Sequence, residues 1–363
     1  MSVYPPVSSS TTGYLNSASH GVPDASVYRR MIKHLQLESR VGPARAFSAV
    51  ADEYYGVRAA AASLIDAQVQ DDVSFGTSGT RAWNDVVTSM NLAGGRVLAA
   101  PHEWGANLRA LSARDDLHIE VLPALSGQDD DLDEWASLLD DDVCALIVPM
   151  VSSLTGERYP VEKIGALSRP TGCAYVVDAA QALGQMPVSV LAIGCDALVA
   201  PTRKWLCGPR GTAIAWRRPD FNHRRGLAFE HASDLDVSSL LGLGTALRRA
   251  SPEFITSTMT DILALAQRVR KLSLDRGLVC LSPFVPHSGI TSLEVSSDAR
   301  AAVEAHLRAA GSVLKWLDAD VEPNAEIQRD NTSLLRLSTH YYTTDEDVVV
   351  ALDAIAKGVE SAQ

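Results

Sequence analysis

Short apolar segments alternate with longer amphipathic stretches over residues 72–218. The apolar segments are rich in Val, Ile, Leu and Ala, and they cover residues 73–75, 96–100, 118–122, 143–149, 174–178, 197–200 and 212–216. Several lack any alternation with polar residues, which is typical of strands buried on both faces. Helical patterns lie between them, at residues 81–92, 105–112, 131–139 and 161–167. The pattern predicts an α/β domain with a mainly parallel seven-stranded sheet sandwiched by helices.

The pattern changes after about residue 251. Long helical stretches at residues 261–276, 298–310 and 344–359 surround short strands at residues 291–295 and 334–338. We therefore expect three parts in the chain: an N-terminal arm (1–20), a large domain (21–250) and a smaller α+β C-terminal domain (251–363).

Composition narrows the classes of function. The 363 residues carry 44 acidic and 32 basic side chains, a formal net charge of −12, which disfavours nucleic acid and anionic membranes as partners. No apolar segment is long enough to cross a bilayer, and the first residues lack the basic and apolar regions of a secretory signal. Five scattered cysteines without paired spacing indicate reduced thiols and no metal site, so we expect a cytoplasmic protein.

Two segments place reactive side chains at the ends of predicted buried strands. Lys204 follows one strand and precedes a Gly-Pro-Arg-Gly turn; a lysine there is costly unless it is paired or used covalently. Asp178 ends the preceding strand, and Gln181 lies three residues later, where open α/β sheets bind ligands. An aspartate there can keep a ring nitrogen protonated, and an amide can bond a phenolic oxygen. The ordinary alternatives are a solvated loop lysine and a helix N-cap aspartate.

A third segment, FGTSGTR at residues 75–81, joins a predicted strand to a helix through a turn of Gly, Ser and Thr. Free N–H groups at a helix start, together with hydroxyls, suit a phosphate group. The segment lacks both the Walker spacing and GxGxxG, which disfavours nucleotide and dinucleotide sites. A simple capping turn would use the same residue types.

Together these segments resemble the class V branch of the fold type I pyridoxal-phosphate enzymes. Further segments that resemble the family occur in the expected order: YLNSASHG at 14–21, HEWGAN at 102–107, VSSLTG at 151–156, Gly244-Thr245, and LRLSTHY at 335–341. The resemblance covers nearly the whole chain. It implies the fold type I architecture and pyridoxal 5'-phosphate as the cofactor.

The resemblance also implies roles for individual residues. Lys204 would form the imine with the cofactor, and Asp178 would hold the pyridine nitrogen. Gln181 and Ser153 would approach the ring oxygen O3′, and Trp104 would stack on the ring.

At the phosphate the resemblance implies two further groups of residues. The contacts within the subunit would come from Ser78, Gly79, Thr80, Thr202 and Arg203. Thr245 is expected in a turn that reaches the phosphate of a neighbouring subunit, which predicts a homodimer with shared active sites.

For the substrate, an amino-acid-type small molecule, the resemblance implies that Arg336 grips the α-carboxylate. Ser19 and His20 are expected at the substrate mouth. A guanidinium suits the carboxylate because it donates two parallel hydrogen bonds.

Some positions depart from the family pattern. Many relatives have His where Trp104 stands, Asn where Ser153 stands, and His where Arg203 stands. Cysteine desulfurases need a nucleophilic cysteine near the substrate arginine, and no cysteine follows Cys280. Cys207 is expected to be a packed apolar filler. A persulfide mechanism is therefore disfavoured.

The combination of Trp-Gly-Ala-Asn, Arg-Lys-Trp-Leu and Gly-Pro-Arg-Gly most resembles lyases that cleave S-substituted cysteines, such as the hercynylcysteine sulfoxide lyases of the ergothioneine pathway and the cysteine-conjugate enzymes of lincosamide pathways. We therefore expect a C–S β-lyase acting on a thioether or sulfoxide. Lys204 would remove the Cα proton, sulfur would leave from Cβ, and pyruvate and ammonia would follow. A class V aminotransferase, an epimerase, a decarboxylating oxidative deaminase and a catalytically silent binding subunit remain open.

Overall fold

A computed structural model of the chain describes residues 11–90, 92, 94–125, 131–219, 235–317, 322–323 and 331–362. Its large sheet contains β1 (Val73–Gly76), β2 (Arg96–Ala99), β3 (His118–Val121), β4 (Val143–Pro149), β5 (Ala174–Asp178), β6 (Ala197–Pro201) and β7 (Ala213–Arg217). The strand order is β1-β7-β6-β5-β4-β2-β3, and only β7 runs antiparallel to its neighbours. The predicted mainly parallel seven-stranded sheet is confirmed.

Both faces of this sheet are buried, as the uninterrupted apolar strands predict. In β4, Leu146 and Val148 join the core on one face, whereas Ala145 and Ile147 join the core on the other. The helices of the large domain are α1 (Ala25–Val41), α2 (Pro43–Ser48), α3 (Ala51–Leu64), α4 (Gly79–Ser89), α5 (Gly105–Ser112), α6 (Asp131–Leu138), α7 (Val161–Ser168), α8 (Val190–Ile193) and α9 (Val237–Arg249).

The second part of the chain is built on an antiparallel sheet of order β10-β11-β9-β8. Its strands are β8 (Val279–Cys280), β9 (Ile290–Ser296), β10 (Lys315–Leu317) and β11 (Thr332–Ser338), and its helices are α10 (Pro252–Asp275), α11 (Arg300–Ala309) and α12 (Asp345–Glu360). A smaller α+β unit is therefore confirmed. Helix α9 ends at Arg249 and α10 begins at Pro252, so the two helices are separated at residues 250–251, close to the predicted domain boundary.

The described part of the N-terminal arm packs on the small sheet. Leu15 is fully buried in the core of that unit. Its N–H donates to the Val313 carbonyl at 3.0 Å, and its carbonyl accepts from the Ser338 N–H at 2.8 Å. The arm therefore joins the last part of the chain, and its residues Ala18 and Gly21 are hydrogen-bonded to Gln181 and Arg203 of the large domain.

None of the helices in the described ranges is long and apolar enough to cross a membrane. Across the same ranges, no cluster of His, Cys, Asp and Glu side chains is arranged to hold a metal ion.

Candidate active site

A cavity of about 490 Å³ opens where the carboxyl ends of β4, β5 and β6 face the small sheet. Parallel strands present their carboxyl ends at one edge, which is where open α/β sheets bind ligands. Residues from widely separated parts of the chain line this cavity: Ser19, His20, Ser78, Gly79, Thr80, Trp104, Asn107, Ser153, Asp178, Gln181, Arg203, Lys204, Arg210, Thr212, Lys315, Glu322 and Arg336.

Lys204 stands in the turn that follows β6. The turn is closed by hydrogen bonds from the Cys207 N–H to the Lys204 carbonyl (3.0 Å) and from the Gly21 N–H to the Arg203 carbonyl (2.7 Å). A β-carbon on Gly21 would lie 2.1 Å from the Lys204 carbonyl oxygen, so this approach requires glycine. Burial lowers the pKa of Lys204 to about 7, against the opposing influence of Asp178.

Asp178 ends β5, and its carboxylate is held on both oxygens. The Ala180 N–H donates to Oδ1 at 2.7 Å, and Asn107 Nδ2 donates to Oδ2 at 2.8 Å. Burial raises the pKa of Asp178, while Lys204 and these hydrogen bonds lower it.

The amide that orients Asp178 is itself oriented by a residue that the sequence analysis missed. Asn107 Nδ2 also donates to Glu103 Oε1 at 2.7 Å, and Glu103 is completely buried. Burial and the nearby Asp178 raise the pKa of Glu103 well above its usual value. The four-residue spacing of Glu103 and Asn107 across the first turn of α5 is a helical signal that could have revealed the pair.

Trp104 and Gln181 line the same cavity as Lys204. The Trp104 ring centroid lies 5.7 Å from Lys204 Nζ, and the ring packs against Leu154, Leu317 and Leu334. Gln181 accepts a hydrogen bond from Trp205 Nε1 at 2.8 Å and donates to the Ala18 carbonyl at 3.2 Å, so its amide is fixed by the surrounding protein.

The opposite end of the cavity is formed by the start of α4 and by residues that follow β6. Ser78 caps α4 by accepting from the Arg81 N–H at 3.1 Å, and Gly79 and Thr80 follow on the cavity wall. Arg203 donates to His20 Nε2 at 3.1 Å. Burial and the adjacent Arg203 lower the pKa of His20 to about 4, so this imidazole is neutral at physiological pH.

The structure corrects the placement of Thr202. Its side chain is fully buried, and its hydroxyl donates to the Thr212 carbonyl at 3.1 Å instead of pointing into the cavity. The cause is the antiparallel pairing of β6 with β7, which sets Thr202 and Thr212 opposite each other just beyond the last paired residues. Thr212, which the sequence analysis did not single out, lines the cavity in its place.

Arg336 projects from β11 and is almost completely buried. Its Nη1 donates to the Ser153 carbonyl at 2.7 Å and its Nη2 donates to Ser19 Oγ at 2.9 Å. Its Nε has no hydrogen-bond partner within the described residues. Burial lowers the pKa of Arg336 to about 10, so the guanidinium keeps its charge at neutral pH.

Glu322 is a second carboxyl group on the cavity that the sequence analysis missed. It is 4% exposed, and its oxygens accept from Ser152 Oγ at 3.0 Å, Ser153 Oγ at 2.8 Å and the Leu154 N–H at 3.0 Å. Burial raises the pKa of Glu322 to about 7. Its surroundings in the sequence are polar and carry no periodic pattern, so nothing in the sequence marks this position.

Comparison of the sequence with protein-family profiles identifies the family to which this chain belongs. The sequence profile described as aminotransferase class V matches residues 14–226, which is more than half of the chain. The chain belongs to the class V aminotransferase family. This membership bears out the family resemblance and the predicted cofactor, pyridoxal phosphate.

Individual proteins with similar sequences or folds add detail to this family assignment. It is 28% identical over 366 residues to a probable hercynylcysteine sulfoxide lyase of Mycobacterium tuberculosis, with 96% of this chain and 90% of the relative covered. Its fold is similar to that of a cysteine desulfurase from Thermococcus onnurineus (TM-score 0.83, 19% identity, covering 97% and 96% of the two chains). A similar match is the cystine C–S lyase C-DES (TM-score 0.82, 18% identity, covering 95% and 97%).

The cavity of this class V protein has a donor set that fits pyridoxal phosphate. Lys204 offers a buried amine, Asp178 offers a carboxylate that is already oriented, and Trp104 offers a flat aromatic face near the amine. Arg203 and the N–H groups at the start of α4 offer positive charge and donors for a phosphate. These residues are therefore the ones that would hold the cofactor in this chain.

Thr245 lies elsewhere than the sequence analysis placed it. It stands in the body of helix α9, not in a turn, so that part of the prediction is wrong. The nine buried residues of α9 explain why the segment is helical: it packs along α1 and α3. The Thr245 hydroxyl donates to the Leu241 carbonyl at 3.2 Å and accepts from Arg248 Nη2 at 3.1 Å. Its predicted contact with a partner's phosphate stays a prediction from the resemblance.

No cysteine lines the cavity among the described residues. Cys207 is buried, its Sγ lies 3.6 Å from His340 Nε2, and burial raises the pKa of its thiol to about 12. A thiol with that pKa is a poor nucleophile at neutral pH. The placement agrees with the interpretation of Cys207 as a packed residue.

Proposed function

We propose that this class V enzyme is a pyridoxal-phosphate-dependent C–S β-lyase. Its substrate would be an S-substituted cysteine, either a thioether or a sulfoxide, and its products would be a sulfur compound, pyruvate and ammonia. The observation that carries the proposal is one cavity that combines a buried amine at Lys204, an oriented carboxylate at Asp178 and a buried guanidinium at Arg336, with no cysteine among its described lining residues.

Arg336 would bind the α-carboxylate of the substrate. Its guanidinium is fixed by Ser153 and Ser19, so little side-chain entropy is lost when a carboxylate binds. Among the described lining residues, cationic side chains outnumber anionic ones: Arg203, Lys204, Arg210, Lys315 and Arg336 against Asp178 and Glu322. This excess suits a ligand pair that brings a phosphate and a carboxylate.

Lys204 would remove the proton from the substrate Cα. A base works best when its pKa is close to the operating pH, and burial brings that of Lys204 to about 7. Pyridoxal phosphate, when bound, supplies a ring that withdraws the electron pair left at Cα. Asp178 would hold the charge of that ring, while Asn107 and the Ala180 N–H keep the carboxylate in place.

The likeness to a probable hercynylcysteine sulfoxide lyase supports elimination at Cβ, because it extends over almost the whole of both chains. The structural likeness to cysteine desulfurases concerns the fold. A desulfurase would require a thiol that attacks the sulfur of the substrate. Cys207, the cysteine nearest in sequence to Lys204, is buried and packed against His340, which disfavours that reaction.

The test follows pyruvate while the purified enzyme is incubated with S-alkyl cysteines and their sulfoxides. Release of pyruvate in proportion to the sulfur product supports the proposal. Transfer of the amino group to a 2-oxo acid without pyruvate would instead show an aminotransferase, and formation of alanine would show desulfuration. Absence of the visible absorbance of a cofactor imine would indicate a catalytically silent subunit.

We also propose that the enzyme is a homodimer. Helix α1 exposes Tyr28, Ile32 and Leu35, each about half accessible, at a spacing that places them on one face. A second copy of the chain is the occupant that the family resemblance implies. Light scattering should give twice the monomer mass, and Ile32→Asp should shift it toward the monomer, whereas Arg40→Asp, on the same helix, should not.

A further inference from the structure

Glu322 has no role in the steps described so far, yet it is one of the most buried polar groups on the cavity. It lies on the same cavity as Lys204 and Arg336 and is only 4% exposed. A carboxyl group removed from water is costly unless it is hydrogen-bonded or functional. This position therefore calls for an explanation beyond packing.

The chemistry of elimination leaves one proton unaccounted for. When Lys204 takes the Cα proton, the electrons of the Cβ–S bond pass to sulfur, which leaves as an anion. A separate acid would let sulfur leave without Lys204 having to carry the Cα proton from Cα to the sulfur. A buried anion on sulfur is unfavourable, so a second acid beside the leaving group would lower the barrier.

The other titratable side chains of the cavity are poor donors for that proton. An arginine guanidinium does not release its proton at neutral pH, which excludes the arginines of the cavity. His20 is neutral and already accepts from Arg203, and Asp178 is assigned to the cofactor ring in the proposed function, so it is not available to the departing sulfur. Lys315 is exposed at the rim of the cavity. Glu322 is the remaining carboxyl group among the described lining residues.

We propose that Glu322 is the catalytic acid that protonates the departing sulfur. This assignment rests on the proposed C–S lyase function. In the step, the proton on Glu322 moves to sulfur as the Cβ–S bond breaks. Lys204 gains the Cα proton, Glu322 becomes a carboxylate, and the products are a neutral thiol (or sulfenic acid) and 2-aminoacrylate, which hydrolyses to pyruvate and ammonium.

The position of Glu322 relative to the substrate follows from Ser153. The Ser153 carbonyl accepts from Arg336, and its hydroxyl donates to Glu322, so one residue links the carboxylate-binding group to the acid. A substrate held at Arg336 by its α-carboxylate carries its sulfur two bonds from Cα. Glu322 and Arg336 therefore line the same cavity and are both tied to Ser153, which supports a position for Glu322 close to a substrate bound at Arg336.

The carboxylate formed in the step would be stabilised where it stands. Ser152, Ser153 and the Leu154 N–H all direct donors at its oxygens. Lys204 and Arg336 face it as cations, and Tyr159 and Glu103 lie near it as further titratable groups. With a pKa of about 7, it holds its proton in the acidic range and loses it as the pH rises through about 7.

The experiment compares two leaving groups in the wild type and in Glu322→Gln, with Glu322→Asp as the matched control that keeps a carboxyl group. S-ethyl cysteine needs a proton on sulfur, whereas 3-chloroalanine expels chloride, which needs none. We expect Glu322→Gln to lower the ratio of thioether to chloride elimination by about 10²-fold, within the range of a lost general acid. Glu322→Asp should restore part of that ratio.

The pH profile gives a second readout that a structural role would not change. For the wild type with S-ethyl cysteine, kcat should rise with Lys204 deprotonation and fall with Glu322 deprotonation, giving a bell near pH 7. The alkaline limb should disappear with 3-chloroalanine and in Glu322→Gln. Equal loss of both activities in Glu322→Gln, or an unchanged ratio, would overturn the role of Glu322 alone. No pyruvate from either substrate with the wild type would overturn the proposed function.

Discussion

Two walls of the cavity are built in different ways. The sheet wall consists of Asp178, Gln181 and Lys204, which stand at or just after the ends of the adjacent strands β5 and β6. The outer wall consists of Ser19, Ser153, Glu322 and Arg336, which come from four distant segments of the chain. One wall is thus a local product of strand order, and the other depends on long-range packing.

The two walls have different chemical tasks. The sheet wall holds the groups that every pyridoxal-phosphate reaction at Cα needs, namely a base and a ring partner. The outer wall holds the groups that we propose to touch the substrate. Variants of the sheet wall should therefore lower kcat for every substrate, and variants of the outer wall should change KM or the preference among substrates.

The largest effect is expected from Lys204→Ala. Without the amine, the covalent anchor for the cofactor and the base at Cα would both be lost, so pyruvate release should fall by at least about 10³-fold for every substrate. An unchanged rate in a variant with normal thermal stability would remove Lys204 from the site.

The next largest effect is expected from Asp178→Asn. The amide keeps the size of the side chain and an acceptor for the Ala180 N–H, but it removes the negative charge. We expect kcat to fall by about 10²-fold with a smaller change in KM, because a charge that supports the reacting ring is missing. A variant that changed only KM would contradict the assignment of kcat effects to the sheet wall.

Arg336 tests the outer wall. Arg336→Gln removes a charged donor of the α-carboxylate, and loss of such a hydrogen bond costs about 1.5–3 kcal/mol, which raises KM roughly 10- to 150-fold. Arg336→Lys keeps the charge but lacks the forked donors, so it should recover only part of the affinity. Initial-rate measurements separate KM from kcat. A pure loss of kcat would place Arg336 with the sheet wall.

The smallest effect is expected behind the sheet wall, at Glu103. Glu103→Ala leaves the Asn107 amide and the Trp104 N–H without their buried acceptor, which should lower the free energy of unfolding by about 1–3 kcal/mol. Burial and the nearby Asp178 raise the pKa of Glu103 and so favour its uncharged form, which the amide of Glu103→Gln resembles, so this variant should cost less. Thermal melting of the two variants measures the difference.

The strands could be predicted from the sequence because both of their faces are buried. The apolar segments at residues 143–149 and 174–178 match β4 and β5 at both ends. The first helices were not predicted, although the sequence of α1 does carry a helical signal. Its apolar residues Tyr28, Ile32 and Leu35 recur at helical spacing on one face, but that face is exposed instead of packed in the core.

The residues of the site also differ in whether the sequence could locate them. Asp178 and Lys204 could be located because a polar residue that ends an apolar strand is conspicuous. Glu322 could not, because its burial arises from Ser152, Ser153 and Leu154, about 170 residues away in the chain. Thr202 was misplaced because the direction of its hydroxyl depends on Thr212 across a strand pair.

The hydrogen bond between Ser19 and Arg336 joins residues 317 positions apart. During synthesis at about 5–20 residues per second, the amino-terminal segment must wait roughly 15 to 60 s before its docking strand is made. Leu15 thus stays exposed on the nascent chain for that interval, because the apolar core in which it is buried has not yet been synthesised. It is then accessible to chaperones. Truncation at either terminus would remove the hydrogen-bond partners of the other terminal segment.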